Sequence, residues 1–236
     1  MMVISDRMAA VAGLISPGNV VADVGTDHCY IPIYLAVNKI SPRIIAMDVN
    51  EGPLAKARKN IAEYGVEDVI ETRLSDGLKE LKQGEADTIV IAGMGGILIN
   101  SILKAGEKVA RSAGELILSP HKDVHLVRRF LADNGYKIDD EIIVKDMGKF
   151  YFVMKVSVGT MSLDDDEISY GVYPARRRDA VMKEYLEKEL AKHISIMKKL
   201  EAGNDASDRR QQVSMEIETI RRVLCCYESS GDCRTS

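Results

Sequence analysis

The chain of 236 residues is 46% hydrophobic, which suits one sizeable domain with an appendage or two small domains. Its formal net charge of −4 excludes a globally basic nucleic-acid binder, so any such surface must be a local patch. No apolar stretch reaches membrane-spanning length, and the four cysteines form neither a CxxC pair nor a zinc-ligand spacing, so we expect a cytoplasmic protein with reduced thiols, no membrane contact and no metal.

Strands and helices are predicted to alternate between residues 20 and 158. A short amphipathic helix over residues 5–15, with Ser5 as its cap, comes before them. The first strand lies in “NVVADVG” and is followed by a helix in “IPIYLAVNK”. A second strand in “RIIAMDVN” leads to a helix in “GPLAKARKNIAEYG”, with Pro53 near its start and Gly65 just past its end. Such alternation is typical of a parallel sheet built from βαβ units.

Three further strands are predicted in “DVIETRLSDG”, “ADTIVIAGMGG” and “ELILSPH”, and a helix with Asp123 as its cap and Gly135 as its stop follows them. Two strands joined by a turn at Met147–Gly148 complete the set. Because no helix separates these last two, one of them must run antiparallel to its neighbour. The pattern predicts an α/β fold with a doubly wound, mainly parallel, seven-stranded sheet, which resembles the class I methyltransferase type.

The composition changes after Val158, where the polar and acidic stretch “GTMSLDDDE” is followed by helical sequence from Pro174 onward. Side chains recur there at heptad-like spacing on both sides of the polar break “AGNDASD”. They are Leu186, Leu190, His193, Met197 and Leu200 before the break, and Val213, Ile217, Ile220, Leu224 and Tyr227 after it. We therefore predict a first domain over residues 1–160 and an antiparallel, coiled-coil-like helical hairpin over residues 161–236. Packing of the first helical turns on the main domain is the alternative.

The loop after the first strand has an unusual composition for a nucleotide-binding site. Dinucleotide-binding loops carry G-x-G-x-x-G and hold a pyrophosphate on a helix N-terminus, whereas here Gly25 is followed by Asp27 and His28. An acid at this place repels a phosphate but suits S-adenosylmethionine, which carries a positive ammonium and a positive sulfonium. A hydrogen bond to a charged partner is worth roughly 1.5–3 kcal/mol, enough to choose between the two ligands. The loop therefore favours S-adenosylmethionine as the cofactor.

Acidic residues accompany the first three strands. Asp23 lies inside the first strand, where a buried and unpaired carboxylate would be costly, so we expect it to accept backbone N–H groups or to hold the methionine ammonium. Asp48 ends the second strand, near the roughly 20-residue offset of a ribose-binding acid. Asp76 follows the third strand, where an acid can accept the adenine amino group. Ordinary turn roles are the alternative for Asp48 and Asp76.

The fourth strand ends in “IAGMGG”, which holds Gly93, Met94, Gly95 and Gly96. This loop offers bare backbone and one thioether, a flat surface that a planar acceptor group can approach closely. A tight strand-to-helix turn that needs glycine for packing is the alternative. With three glycines in four residues, we favour contact with the acceptor.

Several of these segments together carry a family resemblance. “VADVGTDHCYIPIYL”, “AMDVN”, “LSDGL” and “IAGMGG”, followed by a helical hairpin, resemble the bacterial tRNA (adenine-N1) methyltransferases that act at position 22, the TrmK family. The resemblance runs from about Ser5 through the hairpin, and “GTDH” and “AGMGG” are its specific parts. It implies a class I methyltransferase domain with a coiled-coil-like appendage, S-adenosylmethionine as donor and tRNA as acceptor. By position, the implied donor-site residues are Asp23, Gly25, Asp27, His28, Asp48, Asp76 and Gly93.

The implied reaction needs alignment more than proton transfer, because the N1 lone pair of adenine can attack the methyl group directly. Asp27, His28 and Met94 are the candidate catalytic residues, although a strong general base is not required and His28 is also a candidate for ordering the loop. Since N1 lies on the Watson–Crick edge, a paired target base must first be exposed.

Contacts to the acceptor are expected from glycine backbone and from basic side chains. The candidates are Gly95, Gly96, Arg7, Arg128, Arg176 and Arg177. Three alternative functions stay open on sequence grounds: a methyltransferase for a small molecule or a protein, a dinucleotide-binding oxidoreductase, and a noncatalytic RNA-binding adaptor. The oligomeric state is also open, with a monomer as one option.

Overall fold

The computed structural model describes residues 2–172, 176–202 and 207–228. Its contacts divide the chain into two compact units, Met1–Leu163 and Asp164–Ser236. The first unit contains α1 (Asp6–Leu14), β1 (Val21–Val24), α2 (Tyr30–Val37), β2 (Ile44–Asp48), α3 (Glu51–Tyr64), β3 (Ile70–Leu74), β4 (Thr88–Ala92), α4 (Gly96–Ala105), α5 (Glu107–Ser112), β5 (Glu115–Ser119), α6 (Val124–Asp133), β6 (Tyr136–Asp146) and β7 (Lys149–Val158). The second unit contains α7 (Asp165–Tyr170), α8 (Ala180–Ala202) and α9 (Ser207–Glu228).

The seven strands form one sheet in the order β3-β2-β1-β4-β5-β7-β6. Strands β1 to β5 run parallel, and β7 pairs antiparallel with both β5 and β6. All residues of β1, β2 and β5 are buried, as expected for strands covered by helices on both faces. The predicted doubly wound, mainly parallel sheet is confirmed. Its strand order reverses between β1 and β4, where folds of this class bind their ligands at the carboxyl ends of the strands.

Local sequence signals account for several element boundaries. Ser5 caps α1 by accepting a hydrogen bond from the Met8 N–H, and Gly65 ends α3 in the left-handed conformation. The predicted turn between β6 and β7 is confirmed: Met147 and Gly148 both have positive φ, at 48° and 78°, which matches the twist of a two-residue hairpin.

Asp123 departs from its predicted role. It stands at the N-cap of α6, but its φ is 58° and its side chain forms no capping hydrogen bond. The prediction of a side-chain cap is therefore wrong, and the residue marks a sharp turn between β5 and α6 instead.

In the second unit, α8 and α9 pack against each other as antiparallel helices. His193 Nε2 lies 3.2 Å from Glu216 Oε2, and Arg210 donates to the backbone oxygen of Leu200 at 2.7 Å. Four of the predicted stripe positions are fully buried or nearly so: Leu186, Val213, Ile217 and Ile220. The predicted helical hairpin is confirmed. Pro174 and most of the predicted break “AGNDASD” lie outside the described residues.

Of the helices in the described ranges, none combines the length and the apolar character needed to cross a bilayer.

Candidate active site

Two neighbouring cavities lie at the carboxyl ends of the parallel strands. The first, called here the strand-1 cavity, has a volume of about 360 Å³ and is lined by residues that follow β1 and β4, together with Arg7 and His121. The second, the strand-2 cavity, has a volume of about 280 Å³ and is lined by residues that follow β2 and β3. Gly25 and Met94 line both, so an elongated ligand can extend from one cavity into the other across these two residues.

Two features of the loop favour glycine at position 25. Its φ is 76°, and a Cβ placed on it would collide with the Cε of Met94. The loop is held against β2 because the N–H groups of Gly25 and Thr26 both donate to the Met47 carbonyl, at 2.8 and 2.9 Å. The backbone at the end of β1 is thus fixed and bare, which permits close approach of a ligand.

Replacing Gly25 with alanine is expected to destabilise the protein and to weaken ligand binding in the strand-1 cavity. The left-handed backbone adds about 1–2 kcal/mol of strain for a non-glycine residue, and the new methyl group displaces Met94. Gly18→Ala is the matched control, since Gly18 has a φ of 89° with no atom within 4 Å of the added Cβ. Denaturant unfolding and calorimetry with S-adenosylmethionine measure both effects. Normal binding by Gly25→Ala would show that the Met94 contact is unimportant.

Asp23 brings an unusual charge to the strand-1 cavity. Its side chain is buried, and among the described residues no basic side chain forms an ion pair with it. Burial raises the pKa of Asp23 to about 6, the Asp48 carboxylate adds to the rise, and the nearby Thr26 hydroxyl opposes it. Thr26 Oγ1 is itself buried and forms no hydrogen bond of normal geometry with a described residue. A positively charged ligand group would satisfy both side chains.

Asp27 and His28 lie at the more exposed side of the same cavity. The φ of Asp27 is 48°, a strained value of the kind that collects at functional sites, and its carboxylate lies 3.6 Å from His28 Nε2. The His28 ring stacks on Tyr30, and its carbonyl accepts a hydrogen bond from Asn60 at 2.9 Å. Cys29 is buried, and burial raises the pKa of its thiol to about 12, so it stays protonated and inert.

The strand-2 cavity contains the other two predicted acids. Asp48 lines it and also accepts a hydrogen bond from the Asn50 N–H at 2.9 Å, so it combines the turn role with a place in the site. Asp76 lines the same cavity and pairs on the surface with Lys79. The structure therefore brings Asp23, Asp48 and Asp76 to one edge of the sheet, as the sequence predicts.

The glycines after β4 have different roles. Gly93 has a φ of 83° and lies under the side chains of Arg7 and His121. Gly96 is buried at the start of α4, and a Cβ there would lie 2.5 Å from the Asp123 carbonyl oxygen. The prediction that Gly96 contacts the acceptor is wrong, because this glycine permits packing of α4 against the turn before α6. Gly95 remains partly accessible, next to the Lys122 side chain.

Arg128 is also not available to an acceptor. It is fully buried, it donates from Nε and Nη2 to Glu141 Oε1 at 2.9 and 2.7 Å, and its guanidinium lies 4.7 Å from the centroid of the Phe152 ring. The prediction of a tRNA contact at Arg128 is wrong, because this cation balances a buried carboxylate. Arg7 lines the strand-1 cavity, whereas Arg176 and Arg177 are exposed residues of the second unit.

Sequence reasoning missed two aromatic side chains beside the strand-1 cavity. His121, in the loop after β5, lines the cavity, and Tyr151 of β7 lies behind it with a ring-centroid distance of 5.5 Å. The “SPH” after the fifth strand could have indicated His121, because the carboxyl ends of parallel strands meet at one edge. Within the described ranges, no group of three His, Cys, Asp or Glu side chains could hold a metal ion.

A sheet of this order, with acids placed around the point where the strand order reverses, defines a class I methyltransferase. Residues 4–154 match the family described as “Methyltransferase domain”. Over 230 residues, the chain is 34% identical to the tRNA (adenine(22)-N(1))-methyltransferase of Bacillus subtilis. The alignment covers 94% of this chain and 97% of that protein. The chain belongs to this family of bacterial tRNA (adenine-N1) methyltransferases, the TrmK family.

Solved structures agree with this assignment. The crystal structure of the B. subtilis M1A22 tRNA methyltransferase TrmK has a TM-score of 0.85 at 31% identity and covers 95% of this chain and 100% of that one. A Streptococcus pneumoniae relative, solved in complex with S-adenosyl-L-methionine, has a TM-score of 0.86 at 33% identity and covers 94% and 100%. Both likenesses extend over the two units.

Proposed function

We infer that this protein transfers the methyl group of S-adenosylmethionine to N1 of an adenine in tRNA, at position 22. The observation that carries this inference is the buried Asp23 carboxylate, which has no cationic partner among the described residues and opens on the cavity that joins the Asp48 and Asp76 site. A phosphate ligand would be repelled there, whereas an ammonium group would be attracted. When bound, S-adenosylmethionine supplies a methyl group on an electrophilic sulfonium.

The residues divide between the two ends of this donor. Asp23 holds the ammonium group, and Gly25 and Gly93 let the donor approach the backbone. Asp48 accepts hydrogen bonds from the ribose hydroxyls, and Asp76 accepts from the adenine amino group after exchanging its contact with Lys79. Asp27 and His28 close the more exposed side of the donor site.

The acceptor base enters from the strand-1 cavity, next to Met94 and Gly95. Met94 lies between the two cavities and so fixes where the reacting groups meet. In-line attack by the N1 lone pair needs this alignment more than it needs a base. Correct positioning of reactants can lower the activation barrier by up to about 7–11 kcal/mol. Asp27 and His28 line this cavity and are the candidate proton acceptors if a base takes part.

We also propose a division of work along the chain. Residues 1–160 form the catalytic domain, and the hairpin of residues 161–236 contributes tRNA contacts through Arg176 and Arg177, which are exposed. Arg7 adds a cation at the catalytic site itself. With tRNA as the substrate, we propose a cytoplasmic location for the reaction.

Methyl transfer to unmodified tRNA tests the function directly. With labelled donor, we expect about one methyl group per tRNA, mapped by mass spectrometry to N1 of adenine 22, and none on the same tRNA with guanine at that position. Label appearing in proteins or small molecules without tRNA would contradict the assignment. So would tight binding of NAD with no binding of S-adenosylmethionine, or tRNA binding without any transfer.

A further inference from the structure

Two side chains that line the strand-1 cavity, and the tyrosine that contacts both of them, come from three separate elements. Arg7 comes from α1, His121 from the loop after β5, and Tyr151 from β7. The Arg7 guanidinium carbon lies 5.4 Å from the Tyr151 ring centroid, and the His121 ring meets the same ring at 5.5 Å with an interplanar angle of 60°. Tyr151 therefore supports both polar side chains from behind.

Both polar side chains converge over Gly93. The nearest atoms to a Cβ built on this glycine are Arg7 Nη1 at 3.7 Å and His121 Cε1 and Nε2, each at 3.9 Å. The His121 backbone N–H donates to the Met94 carbonyl at 2.8 Å, so the loop after β5 is tied to the loop after β4. The Cε1–Nε2 edge of the imidazole therefore lies over Gly93, next to Met94 in the lining of the cavity.

The surroundings of His121 keep its ring neutral near pH 7. Burial lowers the pKa of His121 below its ordinary 6.5, and the cations Arg7 and Lys149 lower it further. The other titratable or charged groups around it are Tyr151 from β7 and, in the lining of the same cavity, Asp23, Asp27, His28 and Tyr30. A neutral imidazole has one nitrogen that accepts a hydrogen bond, whereas imidazolium has none.

An accepting nitrogen at this place distinguishes adenine from guanine. Adenine presents an N6 amino donor beside the N1 lone pair, whereas guanine presents an O6 acceptor beside an N1–H. We propose that His121 accepts a hydrogen bond from the N6 amino group of the acceptor adenine and turns N1 towards the methyl donor, with Tyr151 and Arg7 as positioning residues. This assignment rests on the proposed function, and it names the residue that would select adenine over guanine as the acceptor base.

The same hydrogen bond strengthens during the reaction. Methyl transfer forms the N1–CH₃ bond and breaks the S–CH₃ bond, so the sulfur keeps the bonding pair and the positive charge passes to the adenine. The N6–H becomes a stronger donor as this charge develops. A neutral His121 therefore stabilises the transition state more than the bound substrate, and its loss lowers kcat.

The test compares His121→Ala with the unmodified protein on two tRNAs that differ only at position 22. One carries adenosine there, and the other carries purine riboside, which lacks the N6 amino group. On adenosine tRNA we expect kcat to fall by about tenfold or more, with donor affinity unchanged in calorimetry. On purine-riboside tRNA the replacement should change kcat by less than about twofold, because the interaction is already absent. His121→Gln, which keeps an acceptor oxygen, should recover part of the adenosine activity.

A pH profile supplies the second readout. At saturating S-adenosylmethionine, which removes the separate effect of Asp23 on donor affinity, kcat of the unmodified protein should decline on the acidic side as His121 takes up a proton. Arg7→Gln should move this decline to higher pH because a neighbouring cation is lost. Equal losses on the two tRNAs, or an acidic limb that Arg7→Gln does not move, would overturn the assignment of His121 alone. Absence of methyl transfer by the unmodified protein on adenosine tRNA would instead refute the proposed function.

Discussion

Replacing Asp23 with asparagine is expected to weaken S-adenosylmethionine binding by roughly 100-fold or more and, at the same time, to stabilise the ligand-free protein. The affinity loss follows from removing one partner of a buried charge pair, which typically costs about 3–5 kcal/mol. Asp23 is only 4% exposed, so water cannot replace the lost partner. Calorimetry at pH 8 measures this effect.

The gain in stability follows from the pKa of Asp23, which folding raises from 3.8 to about 6. A carboxyl group whose pKa is raised by folding favours the native state while it is protonated. Its contribution is therefore complete below pH 4 and is lost as the pH rises through 6. At pH 8 the buried charge destabilises the ligand-free protein by about 3 kcal/mol, and Asp23→Asn removes this penalty.

Denaturant unfolding of the ligand-free proteins at pH 5 and pH 8 checks the sign. Asp27→Asn is the matched control, because Asp27 lines the same cavity but its side chain is 68% exposed. The effect of Asp27→Asn on the free energy of unfolding should differ little between pH 5 and pH 8. A destabilised Asp23→Asn protein at pH 8 would show that protein groups, rather than a ligand, compensate the carboxylate.

The proposed contact of Asp23 with the donor ammonium predicts that donor binding depends on pH. The ammonium of the donor binds the ionised form, so affinity should fall by up to about tenfold per pH unit below pH 6, and binding near pH 6 should release a proton. Calorimetry in two buffers of different ionisation enthalpy measures that proton. Affinity that stays constant between pH 5 and pH 8 would contradict the role of Asp23.

The fold was largely predictable because its signals are local. Continuous apolar runs such as “IIAM” at residues 44–47 indicate strands buried on both faces, and the pair Met147–Gly148 indicates a tight hairpin. Parallel strands then bring their carboxyl ends to one edge, so the meeting of Asp23, Asp48 and Asp76 follows from the strand pattern alone.

The parts that sequence reasoning missed depend on contacts between distant elements. Tyr151 reads as an ordinary strand residue, and only the position of β7 beside β5 puts it behind His121. Arg128 reads as a surface cation, since nothing near it in the sequence identifies its partner, Glu141 on β6. The role of Gly96 was also missed because its contact is distant in sequence: the backbone that it packs against belongs to the turn before α6.

Arg128→Met is expected to lower the free energy of unfolding by about 3–5 kcal/mol, because it removes the cation that forms a buried ion pair with Glu141. Burial already raises the pKa of Glu141, so the loss should be smaller at pH 5, where this group can take up a proton. The double replacement Arg128→Met/Glu141→Leu should recover most of the stability, since well-packed apolar side chains often replace a buried ion pair without loss.

The effect of Arg128 on tRNA binding separates a structural cation from a phosphate contact. If Arg128 serves only Glu141, the double variant should bind tRNA with an unchanged dependence on salt. Arg176→Ala/Arg177→Ala is the comparison, and two lost phosphate contacts should reduce the slope of log K against log salt by about 1.4–1.8. A reduced slope in the double variant, with stability intact, would restore Arg128 to the tRNA surface. An unchanged slope leaves it in the core, where its hydrogen bonds to Glu141 join α6 to β6.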